Sequence, residues 1–341
     1  MTFEDTGVAS PVSAAREPGV QRGPDALGDF IVGVGPRAAA FVADASREGC
    51  GALHTLEGIA VRSHGAVRLR RDGPRIALGL ADLVVGAESD AFAALDGSMP
   101  WRAWRGRFSQ VVCDPVARRL VATVDHFSTL PLCWLEHDGE LLIASDARAL
   151  FASPWCERSV DLVALYHYLN FAVVPAPHTL ARGVRRLEPA TALQWRDGRI
   201  ALERWWQPAY PESRRDDDDT LARDLRERIE ATVERYRPPS SASWGTFLSG
   251  GTDSTSIASI LARGTEPVHT FSIGFAEEGY DELEFARIAA RECGAVPHAD
   301  RVDRARTLAT IPRLADLYDQ PFGNASAASR SGGSRTPRHA G

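Results

Sequence analysis

The chain has 341 residues, of which 25% are charged and 44% are hydrophobic, and its formal net charge is −6. All 39 basic residues are arginine, which excludes a Schiff-base lysine and the lysine that contacts nucleotide phosphates in a Walker-A loop. A mildly acidic chain with interspersed charges gives no electrostatic reason to expect a nucleic acid or an anionic membrane surface as a partner.

The sequence shows no pattern typical of export or membrane insertion. No apolar run approaches the about 20 residues that span a bilayer, and the first ten residues, MTFEDTGVAS, lack the basic-then-apolar pattern of a signal peptide. The five cysteines are widely spaced and contain no Cys-x-x-Cys pair, so we expect reduced thiols rather than a zinc site. These features predict a cytoplasmic protein.

Residues 1–210 predict a first domain that is mostly antiparallel sheet with a few helices, although the first 50 residues or so are weakly patterned. Short apolar runs at 118–124, 132–135 and 141–144 predict strands. Asp138-Gly139 and Asp197-Gly198 each lie between apolar runs, which favours hairpin turns because glycine tolerates a positive φ. Residues 161–169 predict a short helix with Asp161 as its N-cap.

A break follows at residues 211–219, which contain four consecutive aspartates at 216–219. These carboxylates allow two interpretations: a site for a metal or a basic partner, or a solvated linker whose charges favour the start of the next helix. We favour the linker. The helix itself is predicted over residues 220–236, because Leu221, Leu225, Ile229 and Val233 recur every four residues.

Residues 220–327 predict a second domain of different type. Strands are expected at 246–248 and 268–273, and helices at 252–263, 281–293 and 307–318. Alternation of strands and helices predicts an α/β domain with a doubly wound parallel sheet and a ligand site at the carboxyl ends of the strands.

The loop between the first of these strands and its helix has the sequence FLSGGTDS, residues 247–254. Gly250 and Gly251 allow the backbone to approach a ligand, Ser249 and Ser254 offer hydroxyl groups, and the start of the helix presents unpaired N–H groups. Asp253 would repel bare phosphate, so a divalent cation is expected between the two. The loop predicts an anion site that needs no lysine.

The SGGTDS loop resembles the pyrophosphate-binding loop (PP-loop) of the N-type ATP pyrophosphatases, which cleave ATP to AMP and pyrophosphate. The flanking segments VHTFSIGF (268–275) and YDELEFA (280–286) are similar to the asparagine synthetase branch of that superfamily. The resemblance implies ATP and Mg²⁺ as ligands. It implies phosphate contacts at Ser249, Gly250, Gly251 and Ser254, magnesium at Asp253, and an adenine pocket at Leu248 and Ile273.

The first domain resembles the second half of the glutaminase-like, Ntn-hydrolase-type domain of the same family. The matching segments are 106–114 (GRFSQVVCD), 125–134 (DHFSTLPLCW) and 142–150 (LIASDARAL), and the whole resemblance covers roughly residues 104–327. An active glutaminase exposes an N-terminal cysteine as its nucleophile, whereas this chain begins Met1-Thr2-Phe3 and has no Asn-Gly-Glu segment. We therefore expect no glutamine hydrolysis and name no catalytic residue. An Arg-Gly-Pro-Asp segment at 22–25 also echoes the family.

At the other end, YDQPFGNASA (318–327) resembles the segment that leads to the aspartate-binding region of the family. Residues 328–341 then become rich in Arg, Ser, Gly and Pro. A truncated or frameshifted reading frame and a flexible basic extension both account for this tail, and we favour the first, which implies an incomplete ATP pyrophosphatase domain.

The resemblance implies an ATP-dependent amide-forming ligase that activates an aspartate-like carboxylate as an acyl-adenylate, with an amine or ammonia as second substrate. Two alternatives stay open: a ligase similar to β-lactam synthetases and lasso-peptide cyclases, which use another amine, and a non-catalytic nucleotide-binding remnant. A homodimer is the family expectation.

Overall fold

A computed structural model of the chain describes residues 29–44, 51–86, 88–210, 216–238, 244–275 and 283–323. The segments at 1–28 and 324–341, which include Thr2, the Arg-Gly-Pro-Asp segment and the tail, lie outside the described residues, as do Cys50, Tyr280 and the acidic residues Asp281 and Glu282.

Two six-stranded antiparallel sheets form the described part of the first domain. The strand order is β10-β8-β9-β1-β3-β2 in the first sheet and β12-β11-β7-β6-β5-β4 in the second. The strands are β1 (Asp29–Val34), β2 (Ala52–Leu56), β3 (Ile59–His64), β4 (Arg68–Asp72), β5 (Arg75–Val85), β6 (Arg105–Asp114), β7 (Arg119–Val124), β8 (Cys133–His137), β9 (Glu140–Ala144), β10 (Arg185–Arg186), β11 (Thr191–Arg196) and β12 (Arg199–Arg204).

The two sheets pack face to face over one apolar core. Alternate residues of β1 and β9 in the first sheet, among them Val32 and Ile143, are buried with alternate residues of β5, β6 and β7 in the second, among them Leu78 and Val111. This is the period-two pattern expected where one face of a strand is buried against another sheet. The burial supplies the main stabilisation of the domain.

Helices cover the outer face of each sheet. The first sheet carries α1 (Pro36–Ala43) and α2 (Ala147–Phe151) over a second apolar cluster. The second sheet is covered by 3₁₀ turns at Glu88–Asp96 and Pro100–Arg102, with Trp101 and Trp104 fully buried beneath them. The predicted antiparallel sheet with a few helices is therefore confirmed, and it is arranged in four layers.

Local sequence signals account for several of these elements. The turns at Asp138-Gly139 and Asp197-Gly198 have positive φ at both central residues, as a type I′ hairpin requires. The predicted helix is present as α3 (Leu162–Phe171), and the Asp161 carboxylate accepts the N–H groups of Val163 and Ala164. Both predictions are confirmed.

The second domain contains a three-stranded parallel sheet in the order β13-β14-β15. Its elements are α4 (Asp218–Arg235), β13 (Gly245–Phe247), α5 (Thr252–Leu261), β14 (His269–Phe275), α6 (Leu283–Cys293), β15 (Val296–Val302), α7 (Arg304–Thr310), a 3₁₀ turn (Ile311–Arg313) and α8 (Leu314–Leu317). The predicted strand–helix alternation is confirmed. The strand order does not reverse within the described sheet, so the doubly wound topology stays a prediction.

The structure differs from the prediction at two places in this domain. The strand β15 was not predicted, and the single helix expected over 307–318 is divided into α7, a 3₁₀ turn and α8. Pro312 lies at the break and cannot donate the N–H that a continuous helix requires.

The aspartates at 216–219 start a helix, as the linker interpretation expects. The Asp217 carboxylate accepts the N–H of Thr220 at 2.9 Å, and Asp218 and Asp219 lie in the first turn of α4. The same N–H is the main cause that lowers the pKa of Asp217. None of the helices within the described ranges combines the length and apolarity needed to cross a bilayer.

Candidate functional site

The predicted anion site lies at the carboxyl edge of the parallel sheet, where β13 ends. The chain leaves the strand through Leu248, whose N–H donates to the carbonyl of Phe271 at 2.9 Å. The carbonyl of Leu248 accepts the hydroxyl of Ser272 at 2.6 Å. These two bonds fix the start of the loop to β14, so the residues that follow have a defined position.

The two serines of the loop are brought together. Their hydroxyl oxygens are 3.1 Å apart, and the Ser254 hydroxyl also lies 3.2 Å from the N–H of Ser249. The Ser249 hydroxyl accepts the N–H of Gly251 at 3.3 Å. The loop is thus closed on itself by side chains from both of its ends, and both hydroxyls lie in the exposed part of the loop where an anion could reach them.

The glycines have different roles. Gly250 has φ of +84°, and a Cβ atom on it would lie 2.5 Å from the carbonyl carbon of Phe285 at the start of α6. Gly251 has φ of −73°, and a Cβ atom there would meet the Ser249 hydroxyl at an ordinary 3.4 Å. Gly250 is therefore required for the close approach of the loop to α6, whereas Gly251 leaves open space for a ligand.

The start of α5 supplies the charge for the site. Gly251 is the N-cap and gives no side-chain cap, so the first N–H groups of the helix keep their hydrogen-bonding capacity for a ligand. These groups and the positive end of the helix dipole favour an anion at this position. The cradle achieves this without lysine.

Asp253 lies in the first turn of α5 and is exposed. The described residues contain no group of three or more His, Cys, Asp or Glu side chains that could hold a metal ion on their own. A single carboxylate beside a phosphate cradle nevertheless fits Mg²⁺, which binds through one or two carboxylates together with phosphate oxygens. A cation that is already bound to phosphate oxygens could therefore be held here by Asp253 alone.

The two residues expected to line an adenine pocket lie in different surroundings. The Leu248 side chain is 2% exposed and packs with Ala258, Ala286, Ala289 and Ala290 beneath the helices. Ile273 is half-buried in β14, opposite Asp300 of β15. Only the backbone of Leu248 faces the loop, whereas the side chain of Ile273 is accessible.

Two contributors to the site were missed from the sequence. Ser272 holds the Leu248 carbonyl, and the first turn of α6 at Phe285 supports Gly250. The signal for Ser272 was its place within a strand adjacent to the loop. No sequence signal identifies the contact of Gly250, because it depends on how α6 packs.

The first domain offers no activated thiol among its described residues. Cys113 and Cys133 are buried, and burial raises the pKa of both thiols to about 12. Burial also raises the pKa of Cys156. A buried thiol that stays protonated at neutral pH is a weak nucleophile, so none of these three cysteines is activated for attack.

Comparison with known proteins identifies two family matches in the chain. The family model for asparagine synthase matches residues 224–338, and the model for a glutamine amidotransferase domain matches residues 92–206. A putative glutamine-hydrolyzing asparagine synthetase of Mycobacterium bovis is 31% identical over 250 residues, which cover 70% of this chain and 38% of the relative. Glutamine-hydrolyzing asparagine synthetase 1 of Bacillus subtilis is 26% identical over 224 residues, covering 65% of this chain and 35% of the relative.

The chain thus spans less than two fifths of the length of these relatives. Among solved structures, the glutamine phosphoribosylpyrophosphate amidotransferase from B. subtilis with ADP and GMP covers 80% of this chain and 65% of its own, with 11% identity and a TM-score of 0.32. A similarity at that level is too weak to carry an argument. On the two matched family models and these curated relatives, the chain belongs to the asparagine synthetase family.

Proposed function

We propose that the chain binds ATP with Mg²⁺ at residues 249–254 and is an ATP-dependent ligase that forms an amide from a carboxylate. The observation that carries the proposal is the cradle itself: two serine hydroxyls 3.1 Å apart, next to the uncapped start of α5 and at the carboxyl edge of a parallel sheet. A pyrophosphate group presents several anionic oxygens, which this arrangement of hydroxyls and N–H groups can accept.

The proposed reaction has two steps. An oxygen of the substrate carboxylate attacks the α-phosphorus of ATP, and the bond to the bridging oxygen breaks, so that pyrophosphate leaves with its electron pair and an acyl-adenylate forms. An amine nitrogen then attacks the acyl carbon, loses a proton, and AMP leaves. Mg²⁺ would neutralise charge on the departing pyrophosphate.

The described residues would contribute by position and charge. Ser249, Ser254 and the first N–H groups of α5 would hold the pyrophosphate portion, and Asp253 would hold the metal ion. Ile273 offers an apolar contact for the adenine ring, while Leu248 would act through its backbone. The larger architecture of this proposal is a glutaminase-like domain over 1–210 and a PP-loop domain over 220–327 with a doubly wound sheet.

We further propose that the nitrogen comes from ammonia or another amine rather than from glutamine hydrolysed by this chain. Cys113, Cys133 and Cys156, the described cysteines of the first domain, are buried and thus inaccessible to a glutamine substrate, which supports this choice. The second candidate is a reaction like that of β-lactam synthetases or lasso-peptide cyclases. It differs from the first candidate only in which carboxylate is activated and which amine attacks.

ATP–pyrophosphate exchange with L-aspartate tests the proposal. Exchange by the wild-type chain, lost in Asp253→Ala and Ser254→Ala but kept in Ser256→Ala, would support it, since Ser256 is exposed on the same helix but outside the loop. ATP binding without exchange on aspartate but with exchange on another carboxylate would favour the second candidate. Binding without exchange on any carboxylate would favour a non-catalytic remnant, and absence of ATP binding would refute the proposal.

A further inference from the structure

The end of the described chain, residues 314–323, is bound to the surface of the first domain. The Asp319 carboxylate accepts the N–H of Ala147 at the start of α2 at 3.0 Å and a guanidinium N–H of Arg186 at 3.1 Å. Both charged side chains are largely buried, with 18% of Asp319 and 20% of Arg186 exposed. The carboxylate of Asp319, which follows α8 of the second domain, is therefore bound by both the start of α2 and Arg186 of the first domain.

The residues that follow Asp319 continue this contact. The Gln320 side chain is 9% exposed, and its carbonyl oxygen accepts the N–H of Leu180 at 2.8 Å. Phe322 forms an antiparallel bridge with Val173. The N–H of Gly323 donates to the carbonyl of Ala172 at 2.7 Å.

A further contact lies just before Asp319. The guanidinium of Arg148 donates to the carbonyl of Asp316 at 2.8 Å, near the end of α8, where carbonyl groups lack partners within the helix. Arg148 is itself held by Asp146, the N-cap of α2. The first domain thus binds the segment on both sides of Asp319.

Residues 314–323 are part of the second domain in sequence, but their hydrogen bonds described above are made to the first domain. The asparagine synthase family model spans residues 224–338 and therefore includes 314–323. The hydrogen bonds described above nevertheless attach it to α2 and to residues 172–186 of the first domain. The position of this part of the ligase domain is therefore set by the first domain.

We propose that Asp319 is a positioning residue, through which the first domain fixes residues 314–323, the segment that by resemblance precedes the carboxylate-binding region of the family. The step from fixation to carboxylate binding rests on the proposed function. A first domain without glutaminase activity would in this way still be needed for the ligase reaction. The loop at 249–254 lies at the carboxyl edge of the parallel sheet and shares none of the hydrogen bonds of Asp319 described above, so ATP binding should not depend on Asp319.

The test uses the full chain with Asp319→Asn, Arg186→Met and the double variant. Asp82→Asn is the matched control, because Asp82 pairs with Arg107 at 2.8 Å within the first domain. Three quantities are measured: hydrogen exchange of the peptide covering 314–323, the dissociation constant of ATP by titration, and the KM for L-aspartate in ATP–pyrophosphate exchange.

We expect about tenfold faster exchange of the peptide and about a tenfold higher KM for aspartate in each single variant, because a charge-assisted hydrogen bond is lost. The double variant should be no worse than the worse single one, since the two side chains act as one pair. The dissociation constant of ATP should stay within about twofold, and Asp82→Asn should behave as wild type.

Three results would overturn the proposal. These are an unchanged KM for aspartate in Asp319→Asn, unchanged protection of the peptide, and a dissociation constant of ATP that rises together with the KM. If the wild-type chain is active in ATP–pyrophosphate exchange, any one of these results would refute the positioning role of Asp319 but not the proposed function. Absence of exchange by the wild-type chain with every carboxylate would instead refute the proposed ligase function, and the role in carboxylate binding with it.

Discussion

Replacement of Gly250 by alanine should destabilise the second domain, whereas the same change at Gly251 should not. At Gly250 the alanine would adopt φ of +84°, and the left-handed region costs a non-glycine residue about 1–2 kcal/mol. Its Cβ would also lie 2.5 Å from the Phe285 carbonyl carbon and 2.7 Å from the Ala286 nitrogen. Overpacking of this kind costs about 1–3 kcal/mol.

The expected loss for Gly250→Ala is therefore about 2–5 kcal/mol in the free energy of unfolding. Gly251→Ala has ordinary φ and an open contact, so its loss should stay below about 1 kcal/mol, from a poorer N-cap. Urea unfolding followed by circular dichroism, with hydrogen exchange of the Leu248 amide as a local probe, measures both. If Gly250→Ala were as stable as Gly251→Ala, the contact with α6 would not be what shapes the loop.

Two further predictions concern the first domain, and a third compares one cysteine from each domain. Asp125→Ala should lower stability by about 3 kcal/mol in urea unfolding, because its buried carboxylate accepts main-chain N–H groups of Phe108, Phe127 and Thr129; a loss below about 1 kcal/mol would contradict this. At Asp161, burial raises the carboxyl pKa, but hydrogen bonds from two main-chain N–H groups and the nearby His178 lower it overall. The contribution of Asp161 to the free energy of unfolding should be complete above its unfolded pKa of about 3.9 and should be lost as pH falls through its lower pKa in the folded state. The difference in stability between wild type and Asp161→Asn should therefore disappear in acid but not in base. Iodoacetamide at neutral pH should label the half-buried Cys293 well before Cys133, whose pKa is raised to about 12, and equal labelling rates in the folded chain would refute this.

Some elements could be predicted because the signal is local. The Asp-Gly turns follow from two residues each, the N-cap at Asp161 from one side chain and its helix, and the loop at 249–254 from glycine, hydroxyl and carboxylate groups within eight positions. In each case the residues that produce the local structure lie within a few positions of one another. The structure can therefore be predicted without knowing how distant parts of the chain pack.

Other elements could not be predicted because the signal is distant or absent. β1 is buried along nearly its whole length, so it lacks the alternation by which a half-buried strand is recognised, and it lies in a stretch that looked unpatterned. β15 contains Pro297 and charged residues and is largely exposed at the edge of its sheet. Its pairing depends on β14 rather than on its own apolar residues.

The attachment of Asp319 to Ala147 also has a consequence for the order in which the chain folds. The two residues are 172 positions apart, so the contact closes one of the longest loops in the described structure. Since domains fold as units and the N-terminal one is synthesised first, the surface around α2 can form before residues 314–323 have been translated. The contact therefore cannot form before Asp319 has been translated, and its loop-closure cost grows only slowly with the length of the intervening chain.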